Sequence, residues 1–261
     1  MLIIGYTASV FIGLVLGLLG SGGSILAIPI LVYLFHLDPV IATAYSLFIV
    51  GATSSVGVIS KGKEGLVNFK TGLVFGAPSL LAVFSTRKWI VPALPDIIIN
   101  TSYLTINKRM LLLGLFAALM IAASFSMIRK RKNVPEPKES SIIYMIILGL
   151  AIGLLTGLVG AGGGFLIIPA LVLLAGQPMK VATGTSLFII AFNSLIGFTG
   201  DIINLQIQWM FLLSITALAV AGIFVGNWLS TKINGSYLRA AFGWLILVMG
   251  CWILVKEVIN P

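Results

Sequence analysis

Hydrophobic positions run almost without interruption along this chain, and the polar ones gather in short clusters between the runs. Apolar stretches occupy residues 2–36, 40–60, 68–86 and 109–128, and then 142–175, 180–200, 208–230 and 238–255. A helix needs ~20 residues at 1.5 Å each to cross a hydrocarbon core about 30 Å thick, and these runs meet that length. The ten-residue alternation of a transmembrane β-barrel is absent. The pattern predicts an all-α, polytopic helical membrane protein with about eight hydrophobic segments.

The first and fifth stretches are too long for one crossing, since a helix over 142–175 would extend about 51 Å. Both contain a cluster of small residues, GSGGS at 20–24 and GAGGG at 160–164. Each is predicted to be two helical pieces joined at the glycines. The clusters also expose a repeat. Gly13 to Gly57 aligns with Gly153 to Gly197 at a constant offset of 140 without a gap, and 21 of the 45 pairs are identical, with Gly, Pro, Thr and Ser in register. The chain therefore divides into a first transmembrane repeat (1–128), a basic, Pro-containing linker (129–140) and a second repeat (141–261) of four segments each.

Composition narrows the class. A chain that is 59% hydrophobic and 9% charged, with mean hydropathy +1.15, does not describe a water-soluble domain. The net charge of +9 does not point to nucleic acid, because eight of the 16 Lys and Arg residues sit in two loops: Lys61, Lys63 and Lys70, then Arg129, Lys130, Arg131, Lys132 and Lys138. That is the positive-inside signature of a multi-pass inner-membrane protein with lipid as its surroundings and the linker 129–140 in the cytoplasm. The apolar N-terminus is expected to be a retained segment and not a cleaved signal. If each broken stretch goes in and out, the two halves are inverted and the basic residues divide 11 inside to 5 outside; if it crosses once, the halves are parallel and the division is 9 to 7. The rule favours inversion and leaves the parallel arrangement open.

Chemistry is sparse. Asp38, Glu64, Asp96, Asp201 and Glu257 all fall at segment ends or in loops, Arg87 and Lys88 fall beyond the third apolar run, and no proton relay is expected. One cysteine, one histidine and no H-E-x-x-H pattern leave no metal site, cofactor or protease chemistry to propose. What remains is the breaks themselves. Unwound backbone at membrane depth is tolerated only where it is buried in protein or lines a wet cavity. Ser21, Gly22, Gly23 and Ser24, with Ala161, Gly162, Gly163 and Gly164, are expected to present amide N–H groups at the start of half-helices running through Pro29 and Pro169. Two such ends converging at mid-membrane would hold an anion without a basic side chain. Gly13-x-x-x-Gly17 and Gly153-x-x-x-Gly157 read instead as close-packing surfaces. The second segments add Thr43 and Ser46, repeated as Thr183 and Ser186, with Thr185 and Asn193 in the second half. These hydroxyls either face a ligand or bond back to the preceding turn.

The doubled element G-x-x-G-x-G-G-G-x-x-x-x-P, with Ser24 in place of the last glycine in the first copy, followed by A-T-x-x-S-L-F, resembles the TauE/SafE family of sulfite exporters. The resemblance implies an inner-membrane transporter exporting small sulfur oxyanions or sulfonates such as sulfite or sulfoacetate. It maps the family's glycine-rich elements to Gly20, Gly22, Gly23 and Pro29, and to Gly160, Gly162, Gly163, Gly164 and Pro169. The expected partner is a small inorganic or organosulfur anion. The exact cargo, the direction of transport, the coupling ion and the oligomeric state, a homodimer included, are not fixed by these residues, which also leave open an importer of a sulfur compound or small carboxylate and a non-transporting membrane scaffold.

Overall fold

The computed structural model describes residues 2–20, 23–100, 105–128, 142–173, 175–230 and 235–259, so Ser21, Gly22 and the linker 129–140 lie outside the described residues. Helix α1 (Leu2–Leu19) leads into the first break, after which α2 (Ser24–Pro29) starts. Pro29 has no N–H to give to the helical ladder, and the chain continues as a wider π turn, Ile30–Leu34. α1 and α2 form a hairpin. Gly23 lies against Ile12 and Leu16 at one end, and Tyr6 meets Phe35 edge to face at 5.6 Å at the other. His36, with φ 54, reverses the chain into α3 (Pro39–Lys63), where the Asp38 carboxylate accepts a hydrogen bond from Val40 N at 2.8 Å.

Helix α4 (Phe69–Ser85), capped by Asn68, does not stop where its apolar run ends. It continues through a π turn, Thr86–Ile90, into α5 (Val91–Ala93). A short antiparallel ribbon, β1 (Ile97–Asn100) and β2 (Thr105–Asn107), then connects to α6 (Lys108–Ile128). The second half comprises α7 (Ile142–Val159), α8 (Gly164–Leu173), α9 (Met179–Ile202), α10 (Trp209–Ser230) and α11 (Gly235–Ile259). Among the described residues, six helical spans are long and apolar enough to cross a membrane, and the fold is an all-α bundle apart from the ribbon.

The halves interlock. α3 and α9 cross at the centre, with Leu47 beside Gly197, Gly51 beside Leu195 and Gly57 beside Leu187. One number rises as the other falls, so these equivalent helices run antiparallel, the relation that inverted repeats require. α1 packs along α10 and α7 along α4, both parallel. Gly13 sits on Ala219 and Gly17 on Gly226, while Gly153 sits on Ser79 and Gly157 on Thr86. These two pairs of contacts are related by the offset of 140 residues. A β-carbon at Gly13 or Gly153 would strike the facing carbonyl, so these glycines are what lets the helix backbones touch.

Candidate functional site

At the end of α7 the backbone turns at Gly160 (φ 74), Gly162 (φ 67) and Gly163 (φ 68). An L side chain resists this left-handed conformation by ~1–2 kcal/mol per residue, which accounts for glycine at all three positions. Gly160 N still bonds Thr156 O at 2.8 Å, and Gly163 O accepts from Leu166 N and Ile167 N, opening α8 at Gly164. Gly162 lies against Val50, Ile190 and Ser194, and Gly163 against the Thr156 hydroxyl. The hydroxyls of Thr156, Ser194, Ser46 and Ser54 are buried without a hydrogen-bond partner among the described residues. The second break is thus a buried seam with spare polar capacity.

Beside it stands a charge. Gly160 packs on Thr43 and on Nη2 of Arg87, so closely that a β-carbon there would take their space. Arg87 is 0% exposed. Its Nη1 donates to Thr43 Oγ1 at 3.0 Å and lies 3.4 Å from Asp201 Oδ2, an ion pair whose angles do not make a hydrogen bond. Nε and Nη2 of Arg87 have no hydrogen-bond partner among the described residues. The Thr43 hydroxyl donates in turn to Val40 O at 2.8 Å. Arg87 and Thr43 come from the first half, Gly160 and Asp201 from the second, and Gly200 lets the Arg87 stem approach α9. One turn from Thr43, Val40 borders a cavity of about 500 Å³ on the ribbon side, lined also by Asp38, Asp96, Asn107, Lys108 and Arg109.

Arg87, expected beyond the third apolar run, lies inside the helical span Phe69–Ala93 and is buried. Asp201 sits at the end of α9, as expected, and its helix turns it inward. A signal existed. Gly72, Phe75, Gly76, Ser79 and Val83 form the buried stripe of α4 at three- and four-residue steps, and Arg87 is the next position on it. Asp201 likewise continues the stripe of Ile190, Ser194 and Gly197 on α9. Thr156, a lone hydroxyl among apolar neighbours, and Ser194, next to Asn193, are further members of the seam that the sequence reading does not name.

The remaining candidates fall elsewhere. Gly20 (φ 77) packs on Thr183, the counterpart of Gly160 on Thr43. Thr43 and Thr183 each lie one turn from the start of their helix, and the helices are antiparallel, so Gly20 and Gly160 lie toward opposite ends of the α3/α9 pair; α2 and α8 touch. Gly23 and Ser24 open α2, but Gly23 is right-handed (φ −66), unlike Gly163. Pro29 and Pro169 lie inside α2 and α8. Thr183 and Ser186 bond back to Met179 O (2.9 Å) and Thr183 O (2.8 Å), and Thr185 Oγ1 accepts from Asn68 N (2.9 Å). Asn193 donates to Ser79 Oγ at 2.7 Å and leaves its Oδ1 unpaired.

The sulfite exporter TauE/SafE family matches residues 6–253. A probable membrane transporter protein of Xylella fastidiosa (strain 9a5c) is 28% identical over 254 residues, covering 94% of this chain and 92% of that protein. The probable membrane transporter protein YunE of Bacillus subtilis (strain 168) is 25% identical over 279 residues, covering 96% and 98%. A probable membrane transporter protein of Methanocaldococcus jannaschii is 26% identical over 265 residues, with 94% of each covered. No solved structure matches.

Proposed function

The chain belongs to the sulfite exporter TauE/SafE family of membrane transporters, and from that premise we propose that it exports a small sulfur-containing anion, sulfite, sulfoacetate or a related oxyanion or sulfonate, across the inner membrane. The observation that carries this reading is the Arg87 guanidinium, fully buried with Nε and Nη2 unpaired, set against Gly160 of the second break. An ionisable residue inside a spanning segment marks a substrate path by default. A guanidinium presents a planar fork of donors that suits the several acceptor oxygens of a sulfur oxyanion, and the glycine break adds backbone N–H groups with no side chain in the way. The cradle of Arg87, Thr43 and Gly160, continuing to the hydroxyls of Thr156 and Ser194, is the site we assign to the anion.

Transport follows from rocking one half against the other. The cradle is built from both halves, so relative movement opens and closes it, and its ribbon side leads through Val40 toward the cavity at Lys108 and Arg109. The basic residues support placing the linker side in the cytoplasm and the ribbon side outside. With the inside negative by 100 mV, a departing dianion gains ~4.6 kcal/mol, enough to drive export.

The test is thermal stabilisation of the purified protein by sulfite, thiosulfate, sulfoacetate and sulfate, with Arg87→Gln and Gly162→Ala beside it. The proposal expects at least one of the sulfur anions to raise the melting temperature of the wild type and neither variant to respond. A wild type indifferent to all four anions contradicts it.

A further inference from the structure

Asp201 is buried in this fold without a stated task. Its side chain is 4% exposed, inside α9, and among the described residues its charge is balanced by Arg87. The groups around it from the other elements are few. The π turn after α4 supplies Arg87 and Lys88, and the Lys88 ammonium points away, over the rings of Phe84 and Trp89. α3 brings Thr43, which is neutral and accepts from the same guanidinium. The end of α7 brings Gly160. After α9, Asn204 N and Leu205 N bond the Asp201 carbonyl and leave its carboxylate alone.

Resting on the proposed anion site at Arg87, we infer that Asp201 is a proton-binding site coupled to the anion. As the pair stands, Arg87 and Asp201 sum to zero charge. An anion that takes the guanidinium adds net negative charge to a buried pocket and strips Asp201 of its partner. An unpaired carboxylate in a low-dielectric interior is costly, and taking a proton from water relieves it. Carboxylate and anion therefore compete for one guanidinium, and the anion wins only as the carboxylate becomes a carboxylic acid. For each anion seated, one proton binds at an Asp201 oxygen, and it leaves when the anion leaves and the ion pair re-forms. The protein then moves anion and proton in the same direction. A dianion leaving with one proton carries a single net negative charge, so the membrane potential still favours export at ~2.3 kcal/mol per 100 mV.

The test uses the full-length protein in detergent and weak buffer with a pH-indicating dye. The probe is sulfoacetate, whose own charge stays constant between pH 6 and 8. The wild type is expected to take up about one proton per anion bound, and its affinity to fall about tenfold for each pH unit once Asp201 is ionised in the free protein. Asp201→Asn should bind sulfoacetate without proton uptake and with an affinity that does not change with pH. Asp201→Glu should restore both, and it carries the comparison if the Asn variant does not fold. Binding by the wild type without proton uptake, or uptake that persists in Asp201→Asn, overturns the coupling while leaving the anion site intact. No binding by any form, repeated with sulfite, overturns the anion site and the coupling with it.

Discussion

Arg87 Nη1 and Asp201 Oδ2 lie 3.4 Å apart inside the bundle and come from opposite sides of the linker 129–140 in the sequence. The positions 140 residues away from them hold Asn227 and Lys61, so the repeat does not reproduce the pair. Lys61 bonds Glu64 at 3.0 Å instead. Positions related by the offset of 140 thus carry different chemistry, and among the described residues this buried ion pair lies at the ribbon end. In an inverted-repeat transporter the outward- and inward-facing forms exchange the conformations of the halves, and a charge pair at one end biases which form the empty protein adopts.

The pair should cost more to break than to delete. Arg87→Gln or Asp201→Asn alone leaves a buried charge unpaired and should lower stability by about 3–5 kcal/mol, whereas the double variant should recover a large part of that loss. Chemical denaturation of the four proteins in mild detergent measures the coupling. Additive losses would mean that the two groups do not interact.

The two glycine-on-threonine contacts should respond differently to loss of the hydroxyl. Thr43→Val removes the oxygen that Arg87 donates to, and it should weaken anion binding roughly 10- to 150-fold, the loss of one hydrogen bond to a charged group. Among the described residues the Thr183 hydroxyl bonds the carbonyl of Met179 in its own helix, so Thr183→Val should leave binding within about twofold. Titration of both variants with the same anion decides it.

Gly160→Ala should abolish flux. The methyl would enter the space of Arg87 Nη2 and Thr43, in a backbone conformation that adds ~1–2 kcal/mol of strain. Gly62→Ala is the control, since nothing lies within 4 Å of a β-carbon there and alanine favours the helix. Efflux from proteoliposomes should fall to background for the first and stay at the wild-type rate for the second.

Antiparallel α3 and α9 put the loops after them on opposite sides of the membrane. With Cys251 replaced, Glu64→Cys should label with an impermeant maleimide only after the membrane is opened, and Asn204→Cys should label from outside. Labelling of both from one side would mean parallel repeats.

Much of this was legible in the chain. The long apolar helices and the interruption at each glycine cluster follow from hydrophobic periodicity, and periodicity survives in a single sequence. The small-residue spacing at Gly13 and Gly17 anticipated close packing, though not that the partner would be α10 of the other half. What stayed hidden was Arg87. Hydropathy averages over a turn, so a pair of basic residues reads as a loop, while on a helix neighbouring side chains point ~100° apart. One faces the protein and the next, Lys88, reaches the aromatic rings outside. Asp201 was hidden for the same reason, by the polar loop that follows it. The hydroxyls of Thr183, Thr185 and Ser186 matched the pattern of ligands, yet the structure engages them within the protein, because a hydroxyl in a membrane helix bonds the nearest carbonyl when no closer partner exists.

The most direct test of the anion site is efflux of sulfite and sulfoacetate from proteoliposomes under an imposed inside-negative potential, comparing wild type with Arg87→Gln and the double variant Arg87→Gln/Asp201→Asn. The account predicts potential-driven efflux of at least one anion by the wild type and none by either variant, including the double variant in which no buried charge is stranded. Efflux at the wild-type rate by the folded double variant would contradict it.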